Sequence, residues 1–128
     1  MVAASSQVLA IILYLLSAGV TDEWSENEFL KYDQQGNLIM RGEYIRDDDN
    51  RVIRYNVYTA DGELLYYETP HYRANGSIVA IDTYSPDGSL ELIAIPLPTG
   101  MRVFDGTGKP VPELEALLFD DVEERYEP

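Results

Sequence analysis

One short pattern recurs along the chain and limits the folds open to it: an aromatic residue, a polar turn ending in glycine, one further residue and an aliphatic residue. It is found as YDQQGNL, YTADGEL, YRANGSI and YSPDGSL, which begin at residues 32, 58, 72 and 84. Together with Tyr44, these aromatics lie 12 or 14 residues apart, which is the length of one strand and one tight turn. The repetition predicts a β-meander of about six strands over residues 29–97.

The turn SPDGS has a residue suited to each of its positions. Pro86 presets the backbone for the first turn position, Asp87 hydrogen-bonds its own backbone, and Gly88 adopts the positive φ of a bulge. The other copies have similar residues, and residues 104–111, FDGTGKPV, contain a looser form of the pattern. Tight hairpins are therefore expected at each copy.

Short loops fix which strand residues face each other, and so which face of the sheet each residue occupies. The predicted pairs are Tyr44–Ile53, Tyr55–Tyr67, Tyr58–Leu64, Ile81–Ile93 and Tyr84–Leu90. The pairs Tyr44–Ile53, Tyr55–Tyr67 and Ile81–Ile93 belong to one face, which is almost wholly apolar and is the predicted core face. It consists of Leu30, Tyr32, Leu38, Met40, Tyr44, Ile53, Tyr55, Val57, Leu65, Tyr67, Val79, Ile81, Ile93 and Ile95.

Residues 1–20 contain no charged side chain, and residues 8–16 are apolar without interruption. We favour a helix over residues 1–20 that packs on the core face, because Ser5 or Ser6 can cap its start and Gly19 can end it. A membrane anchor and a cleaved signal peptide are the alternatives, although no basic residue precedes Lys31. The core helix implies a cytoplasmic protein, and the anchor implies a membrane-attached one.

The C-terminal part ends the meander. The sequence PLPTG interrupts the strand pattern, residues 112–119 have the leucine spacing of a short helix with Pro112 near its start, and residues 120–128 form an acidic tail. With 128 residues and no low-complexity linker, the chain is predicted to be a single domain over residues 1–128. The predicted fold class is α+β, with a helix on one face of a twisted antiparallel meander and a short C-terminal helix.

The composition of the chain excludes several classes of function and of binding site. A net charge of −14 repels nucleic acid and anionic membranes, so a basic protein is the expected partner. The absence of cysteine and the presence of a single histidine exclude thiol chemistry, thiolate zinc sites and paired-histidine metal sites. No glycine-rich phosphate loop follows a strand and opens a helix. We therefore predict no cofactor, no metal and no enzymatic activity.

The face opposite the predicted core carries a row of charges. The predicted register places Glu43 opposite Arg54, Arg54 opposite Glu68, and Glu68 opposite Asp82. Facing carboxylates are able to bind a hard cation, share a proton or hold a basic side chain, or they are simply solvated. Tyrosines on this face offer large contact area at low entropic cost. The predicted partner-binding residues are Glu43, Arg54, Tyr58, Tyr66, Glu68, Asp82 and Tyr84.

The stretch 32–64 resembles the MORN-like, or YD-type, hairpin repeats of bacterial proteins. The matching residues are Tyr32, Gly36, Leu38, Gly42, Tyr44, Tyr58, Gly62 and Leu64. The resemblance covers about a quarter of the chain well and another quarter loosely, and the later copies lack the glycine in mid-strand. Families of this appearance include small antitoxin or immunity-type proteins and interaction modules, which share no catalytic site. The resemblance implies binding in place of catalysis.

Three hypotheses follow from these patterns. The first is a non-enzymatic acidic protein-binding module, either inhibitor or immunity-like or an assembly factor. The second is a small enzyme or ligand carrier whose pocket is lined by Glu68, Asp82, Arg54 and His71, although the register predicts that His71 lies beside Val79 at the rim of the core face. The third is a membrane-tethered accessory subunit anchored by residues 1–20.

Overall fold

The computed structural model describes residues 11–12 and 21–115, which contain an antiparallel sheet of eight strands. Each strand pairs with its neighbours in sequence, so the predicted β-meander is confirmed. The strands are β1 (Thr21–Trp24), β2 (Glu28–Tyr32), β3 (Leu38–Arg46), β4 (Val52–Tyr58), β5 (Leu64–Tyr72), β6 (Ile78–Tyr84), β7 (Leu90–Leu97) and β8 (Gly100–Asp105). The sheet thus extends beyond the predicted meander by a strand at each edge.

The predicted α+β class is wrong. Among the described residues, helical backbone is limited to residues 11 and 12 and to a turn of 3-10 helix, Pro112–Leu114, with the residue that follows it, so the regular structure is almost entirely β. That turn stands at the start of the predicted helix 112–119, whose residues 116–119 lie outside the described residues, as does the tail 120–128. Of the predicted N-terminal helix 1–20, only residues 11 and 12 are described. No helix in the described part of the chain has the length and apolar character needed to cross a membrane.

Six turns within residues 21–115 share one backbone geometry. In each, the first residue donates to the carbonyl of the fifth, and the fourth donates to the carbonyl of the first; the turns span 33–37, 47–51, 59–63, 73–77, 85–89 and 105–109. The fourth position has positive φ in every turn and is glycine in all but one, where Asn50 has φ 66°. The predicted positive φ of Gly88 is confirmed, and residues 105–109 form the same turn. The local turn chemistry therefore sets the spacing of the strands.

A β-bulge follows the turn in each of the five hairpins from β2–β3 to β6–β7. In the β4–β5 hairpin, Tyr58 pairs with Leu64 but Val57 pairs with Tyr66, so Leu65 is an extra residue in the returning strand. The extra residues of the hairpins are Ile39, Ile53, Leu65, Val79 and Glu91. An inserted residue shifts the register of everything after it in the strand.

The bulges explain which predicted pairs are right. The pairs beside the turns, Tyr58–Leu64 and Tyr84–Leu90, are confirmed. The pairs beyond the bulges are wrong: Tyr55 faces Glu68 and Ile81 faces Ala94, because each returning strand contains one residue more than the predicted register allows. Tyr44 faces Tyr55, two residues beyond the predicted Ile53, because the turn 47–51 is one residue longer than predicted and the bulge adds another.

The two faces of the sheet differ in burial. We call the side that carries Met40, Val57 and Ile81 the buried face and the opposite side the open face. The core cluster is Ile12, Phe29, Met40, Tyr44, Val52, Tyr55, Val57, Tyr66, Ile78, Ile81, Leu92, Ala94, Met101, Val103, Val111 and Leu114. Burying these sixteen side chains, at roughly 2 kcal/mol for each of the larger ones, is the main favourable contribution to folding.

Part of the predicted core face is wrong. Met40, Tyr44, Tyr55, Val57 and Ile81 are buried as expected. Other members are only half-buried, namely Leu30, Tyr32, Leu38, Leu65, Tyr67, Ile93 and Ile95, and the bulge residues Ile53 and Val79 are exposed. The residues that are less buried than predicted lie mostly next to or beyond a bulge, where the alternation of side chains between the two faces is reversed.

The last strand is covered along its outer edge. The amide of Val111 donates to the carbonyl of Val103 at 2.8 Å, and Glu115 Oε2 accepts from the amide of Val103 at 3.2 Å and from Arg102 Nε at 3.3 Å. Leu114, fully buried, anchors this segment to the core. Because these contacts occupy backbone groups of β8, its central part cannot pair with another strand.

Candidate functional site

The open face of β2 to β6 carries a connected set of polar and aromatic side chains. The register places Glu43 opposite Asn56, Asn56 opposite Tyr67, and Tyr67 opposite Tyr84, so these side chains form a row across four strands. We call the connected set the open-face ladder. Its members are Glu28, Arg41, Glu43, Arg54, Asn56, Tyr58, Tyr67, His71, Asp82 and Tyr84.

Two stacked tyrosines form the centre of the ladder. The rings of Tyr67 and Tyr84 lie 5.2 Å apart between centroids with an interplanar angle of 21°. The guanidinium of Arg54 lies 3.8 Å from the centroid of Tyr67, and its Nε donates to Asn56 Oδ1 at 2.7 Å. Each of these residues except Asn56 is half-buried. The packing holds large planar groups in fixed positions while leaving part of each exposed.

Glu43 organises one end of the ladder. Its Oε1 accepts from the Tyr58 hydroxyl at 3.1 Å and from Asn56 Nδ2 at 3.3 Å. Arg41 lies over the Tyr58 ring at 4.4 Å and pairs with Glu28 Oε2 at 3.4 Å. Burial, and then the hydrogen bond to Glu43, raise the pKa of Tyr58 above its ordinary value. Carboxylates and guanidinium groups alternate here, so the charges of the open face largely neutralise each other.

His71 and Asp82 form the other end. His71 Nε2 lies 2.8 Å from Asp82 Oδ2, and the Tyr84 hydroxyl donates to the same oxygen at 3.4 Å. The side chain of His71 is 54% exposed, whereas that of Asp82 is only 19% exposed. Burial, and then the charge of Asp82, raise the pKa of Tyr84. The prediction that His71 lies beside Val79 at the core rim is wrong, because the bulge at Val79 pairs His71 with Ala80 on the open face.

The predicted site residues divide between the two faces. Those on the open face are Glu43, Arg54, Tyr58, Asp82 and Tyr84. Tyr66 and Glu68 are instead buried on the other face, with 6% and 3% exposure, because the bulge at Leu65 reverses the strand after it. The predicted row Glu43–Arg54–Glu68–Asp82 is therefore wrong. Asp82 faces Thr69 and Ile93, and Glu68 faces Tyr55 and Thr83.

The sequence pattern assigns Tyr67 to the predicted core face, yet in the structure Tyr67 lies at the centre of the open-face ladder. A usable clue stands after each turn, where two apolar residues follow one another and interrupt the alternation. These doublets are Leu38–Ile39, Val52–Ile53, Leu64–Leu65 and Ile78–Val79. A doublet of this kind marks an inserted residue, and reading it as a bulge assigns Tyr67 to the open face.

An open cleft of about 540 Å³ lies beside the Glu43 end of the ladder. Glu28, Arg41, Glu43 and Arg46 are among its lining residues. Arg46 closes its outer side by donating to the carbonyls of Glu26 and Asn50 and to the side chain of Asn27. None of Glu68, Asp82, Arg54 and His71 lines this cleft. These four residues do not share a face, because Glu68 is buried on the opposite side of the sheet.

Many of the acidic side chains lie away from the open-face ladder, at the hairpin tips. Because strands alternate in direction, the turns at 33–37, 59–63, 85–89 and 105–109 share one end of the sheet, about 10 Å apart. Each of these turns contains one aspartate, and these are Asp33, Asp61, Asp87 and Asp105. Among the described residues, no group of histidine, aspartate and glutamate side chains is arranged to hold a metal ion.

Three of these turn aspartates stabilise the fold more when they are ionised than when they are protonated. A backbone hydrogen bond from Asn37 lowers the pKa of Asp33, and hydroxyl hydrogen bonds from Ser85 and Thr107 lower those of Asp87 and Asp105. Because these pKa values are lower in the folded chain, the stabilisation is complete above the ordinary aspartate pKa and is lost as pH falls through the folded values. We expect the free energy of unfolding to decrease as the pH falls below about 5 and through the lowered pKa values of these three carboxyl groups.

Urea denaturation across this pH range tests the turn aspartates. Replacing Asp33, Asp87 and Asp105 together by asparagine, which retains the side-chain oxygen but not the charge, should flatten the pH dependence. The matched control is Asp48→Asn and Asp49→Asn, at exposed turn carboxylates. An equal flattening by the control variant would show that general charge repulsion, and not the turn hydrogen bonds, sets the acid sensitivity.

No protein-family model matches the chain, and no curated protein matches it. Among solved structures, the chain is similar to a point mutant of S. aureus TarM, crystallised in complex with fondaparinux, alpha-GlcNAc-glycerol and UDP. The similarity has 12% sequence identity and a TM-score of 0.36, and it covers 93% of this chain. The chain spans only 26% of that structure's chain. At this TM-score the similarity supports no conclusion about fold or activity.

Proposed function

We propose that the protein is a non-enzymatic binding module that docks a protein partner on the open-face ladder, centred on Tyr67, Tyr84 and Arg54. The observation that carries the proposal is the stack of two tyrosine rings and one guanidinium, 5.2 Å and 3.8 Å apart, on a half-buried sheet face. Tyrosine and arginine are the side chains that most often dominate binding energy at protein interfaces. Here the fold already holds them in place, so little conformational entropy is lost on docking.

The charge distribution favours a basic partner. Many of the acidic residues behind the net charge of −14 stand at turn tips that project from the ends of the sheet, and they attract a cationic protein over several ångströms. The ladder itself carries both signs, with Glu43 and Asp82 against Arg41 and Arg54. In this proposal the acidic turn tips speed up association with the partner, and the contacts of the open-face ladder determine which partner binds. Inhibition of a toxin-like protein and assistance in assembly are the two roles compatible with such docking.

One observation favours a second candidate, a small enzyme. The exposed imidazole of His71 is oriented by Asp82 at 2.8 Å, which is how a general base is held in many active sites. Such a site would not include Glu68, because Glu68 is on the buried face. In this candidate His71 would accept a proton from a substrate bound against Tyr84.

The binding proposal is tested by capture from an extract of the native host, followed by calorimetry with the purified captured protein. We expect the variant Tyr67→Ala/Tyr84→Ala to weaken binding by at least about 100-fold, since each side chain is placed as a hot spot of roughly 2 kcal/mol. The matched control is Ile53→Ala/Val79→Ala, which removes exposed apolar surface at two bulges outside the ladder. Equal binding by both double variants would reject the open face as the docking surface.

A further inference from the structure

The arginines of the open face follow a common arrangement. Each lies over an aromatic ring of its own chain: Arg41 over Tyr58 at 4.4 Å, Arg54 over Tyr67 at 3.8 Å and Arg102 over Phe104 at 5.3 Å. Two of the three also pair with a carboxylate, Arg41 with Glu28 at 3.4 Å and Arg102 with Glu115 at 3.3 Å. Aromatic ring, guanidinium and carboxylate thus recur as a unit on this sheet.

Tyr84 departs from this arrangement. Within residues 11–12 and 21–115, no cation lies over its ring, and the ring stacks on that of Tyr67. A carboxylate is nevertheless in place, because the Tyr84 hydroxyl donates to Asp82 Oδ2. Tyr84 and Asp82 therefore present the ring and the carboxylate of the unit without its guanidinium.

Asp82 retains an acceptor for a partner. Its Oδ2 is occupied by His71 at 2.8 Å and Tyr84 at 3.4 Å, but no hydrogen bond from the described residues reaches Oδ1. The side chain is 19% exposed, so a donor can approach it while much of its surroundings is dry. Half-buried Ile93, which faces Asp82 across the β6–β7 pair, adds an aliphatic contact surface.

We infer that Tyr84 and Asp82 bind an arginine side chain of a basic protein partner, with its guanidinium against the Tyr84 ring and hydrogen-bonded to Asp82 Oδ1. This inference rests on the proposed function and identifies the chemistry of its partner. Arginine suits the position because its planar group both stacks on aromatic rings and pairs with carboxylates. The acidic turn 85–89, which directly follows Tyr84, attracts the surrounding cationic segment.

The test uses a defined probe, a short peptide of alternating glycine and arginine, titrated into the full-length protein and followed by NMR. The comparison peptide has citrulline in place of arginine, which keeps the shape and removes the charge. We expect the arginine peptide to shift the resonances of Tyr84, Asp82 and Ile93, and the citrulline peptide to bind at least about tenfold more weakly.

Matched variants separate a specific site from general attraction. Asp82→Asn should weaken the arginine peptide about tenfold, whereas Asp61→Asn, the same charge change at an exposed turn tip, should weaken it less than about twofold. Tyr84→Phe keeps the ring and should retain most of the affinity, and Tyr84→Ala should not. If Tyr84→Ala fails to fold, Asp82→Asn and Tyr84→Phe still decide the question. Equal effects of Asp82→Asn and Asp61→Asn, or equal binding of both peptides, would overturn the inference.

The captured partner distinguishes the two levels of the proposal. If Tyr67→Ala/Tyr84→Ala loses the partner but Asp82→Asn keeps its full affinity, the open face binds the partner and the arginine inference fails. If neither variant weakens the partner, the proposed function itself fails. Loss in both variants, with Asp61→Asn unaffected, supports both.

Discussion

Replacement of Gly42 by alanine is expected to lower the free energy of unfolding by about 3 kcal/mol, because the new methyl group has no space. A Cβ at this position would lie 2.2 Å from the Tyr55 hydroxyl oxygen and 2.6 Å from two of its ring carbons. Tyr55 is 1% exposed and packs against Tyr44 with ring centroids 4.9 Å apart, so it cannot swing away without opening the core. Urea denaturation of the two proteins measures the difference.

Gly100 offers a matched control for this substitution. It also lies in a strand, and a Cβ there would meet no atom within 4 Å, so Gly100→Ala should change the free energy of unfolding by less than about 0.5 kcal/mol. A double-mutant cycle identifies the clash: in a Tyr55→Leu background, Gly42→Ala should cost much less. An unchanged cost in that background would place the effect in the backbone and not in the contact with Tyr55.

Replacement of Glu91 by methionine is expected to act in the opposite direction and to raise the free energy of unfolding by about 2 kcal/mol. Glu91 is 1% exposed, and neither of its carboxylate oxygens has a hydrogen-bond partner among the described residues. A buried polar group without a partner loses its hydration and gains nothing in return. Methionine has a similar length and flexibility, so it fills the same space without that cost.

Two variants make the Glu91 experiment decisive. Glu113→Met makes the same change at an exposed site and should alter the free energy of unfolding by less than about 0.5 kcal/mol. Glu91→Gln removes the charge but keeps unpaired polar atoms, so a smaller gain is expected. A loss of stability in Glu91→Met, with Glu113→Met unchanged, would contradict the prediction and show that the carboxylate has a stabilising contact.

Glu91 also occupies an unusual place in the repeat. It is the extra residue of the β6–β7 bulge, a position held by Ile39, Ile53, Leu65 and Val79 in the other hairpins. An aliphatic side chain is therefore compatible with the backbone geometry of the bulge, which strengthens the expectation that methionine is tolerated.

The features predictable from sequence are those that local chemistry determines. A glycine after two or three polar residues specifies the turn by itself, so the meander and the two pairs predicted beside glycine turns, Tyr58–Leu64 and Tyr84–Leu90, are correct. Two of the tyrosines before the turns also lie where predicted, whereas Tyr32, predicted for the core, is only half-buried. Tyr58 and Tyr84 lie on the predicted face because no inserted residue precedes them in their pairing with the turn.

The features that were missed depend on the bulges. One inserted residue reverses the face that each later residue of the strand occupies. Tyr66 and Glu68 are therefore buried in the core, and Tyr67 lies on the open face, each opposite to its predicted side. Contacts between site residues on neighbouring strands, such as His71 with Asp82, could not be derived from the sequence because they depend on the register of two strands at once. The class prediction failed for a different reason: the strands β1 and β8 extend the sheet beyond the predicted meander, and the described start of the predicted helix 112–119 forms only a turn of 3-10 helix.

The uninterrupted order of the strands has a consequence for the way the chain reaches this structure. Because every described strand hydrogen-bonds only to its sequence neighbours, strand pairing joins nearby segments of the chain and each hairpin closes a similarly small loop. Folding is able to start at any hairpin and to spread outward by zippering, with no distant segments to bring together first. A force that pulls the chain ends apart would peel the strands away one after another from the outermost rows, because within the described sheet no strand pairing ties the two edges to each other.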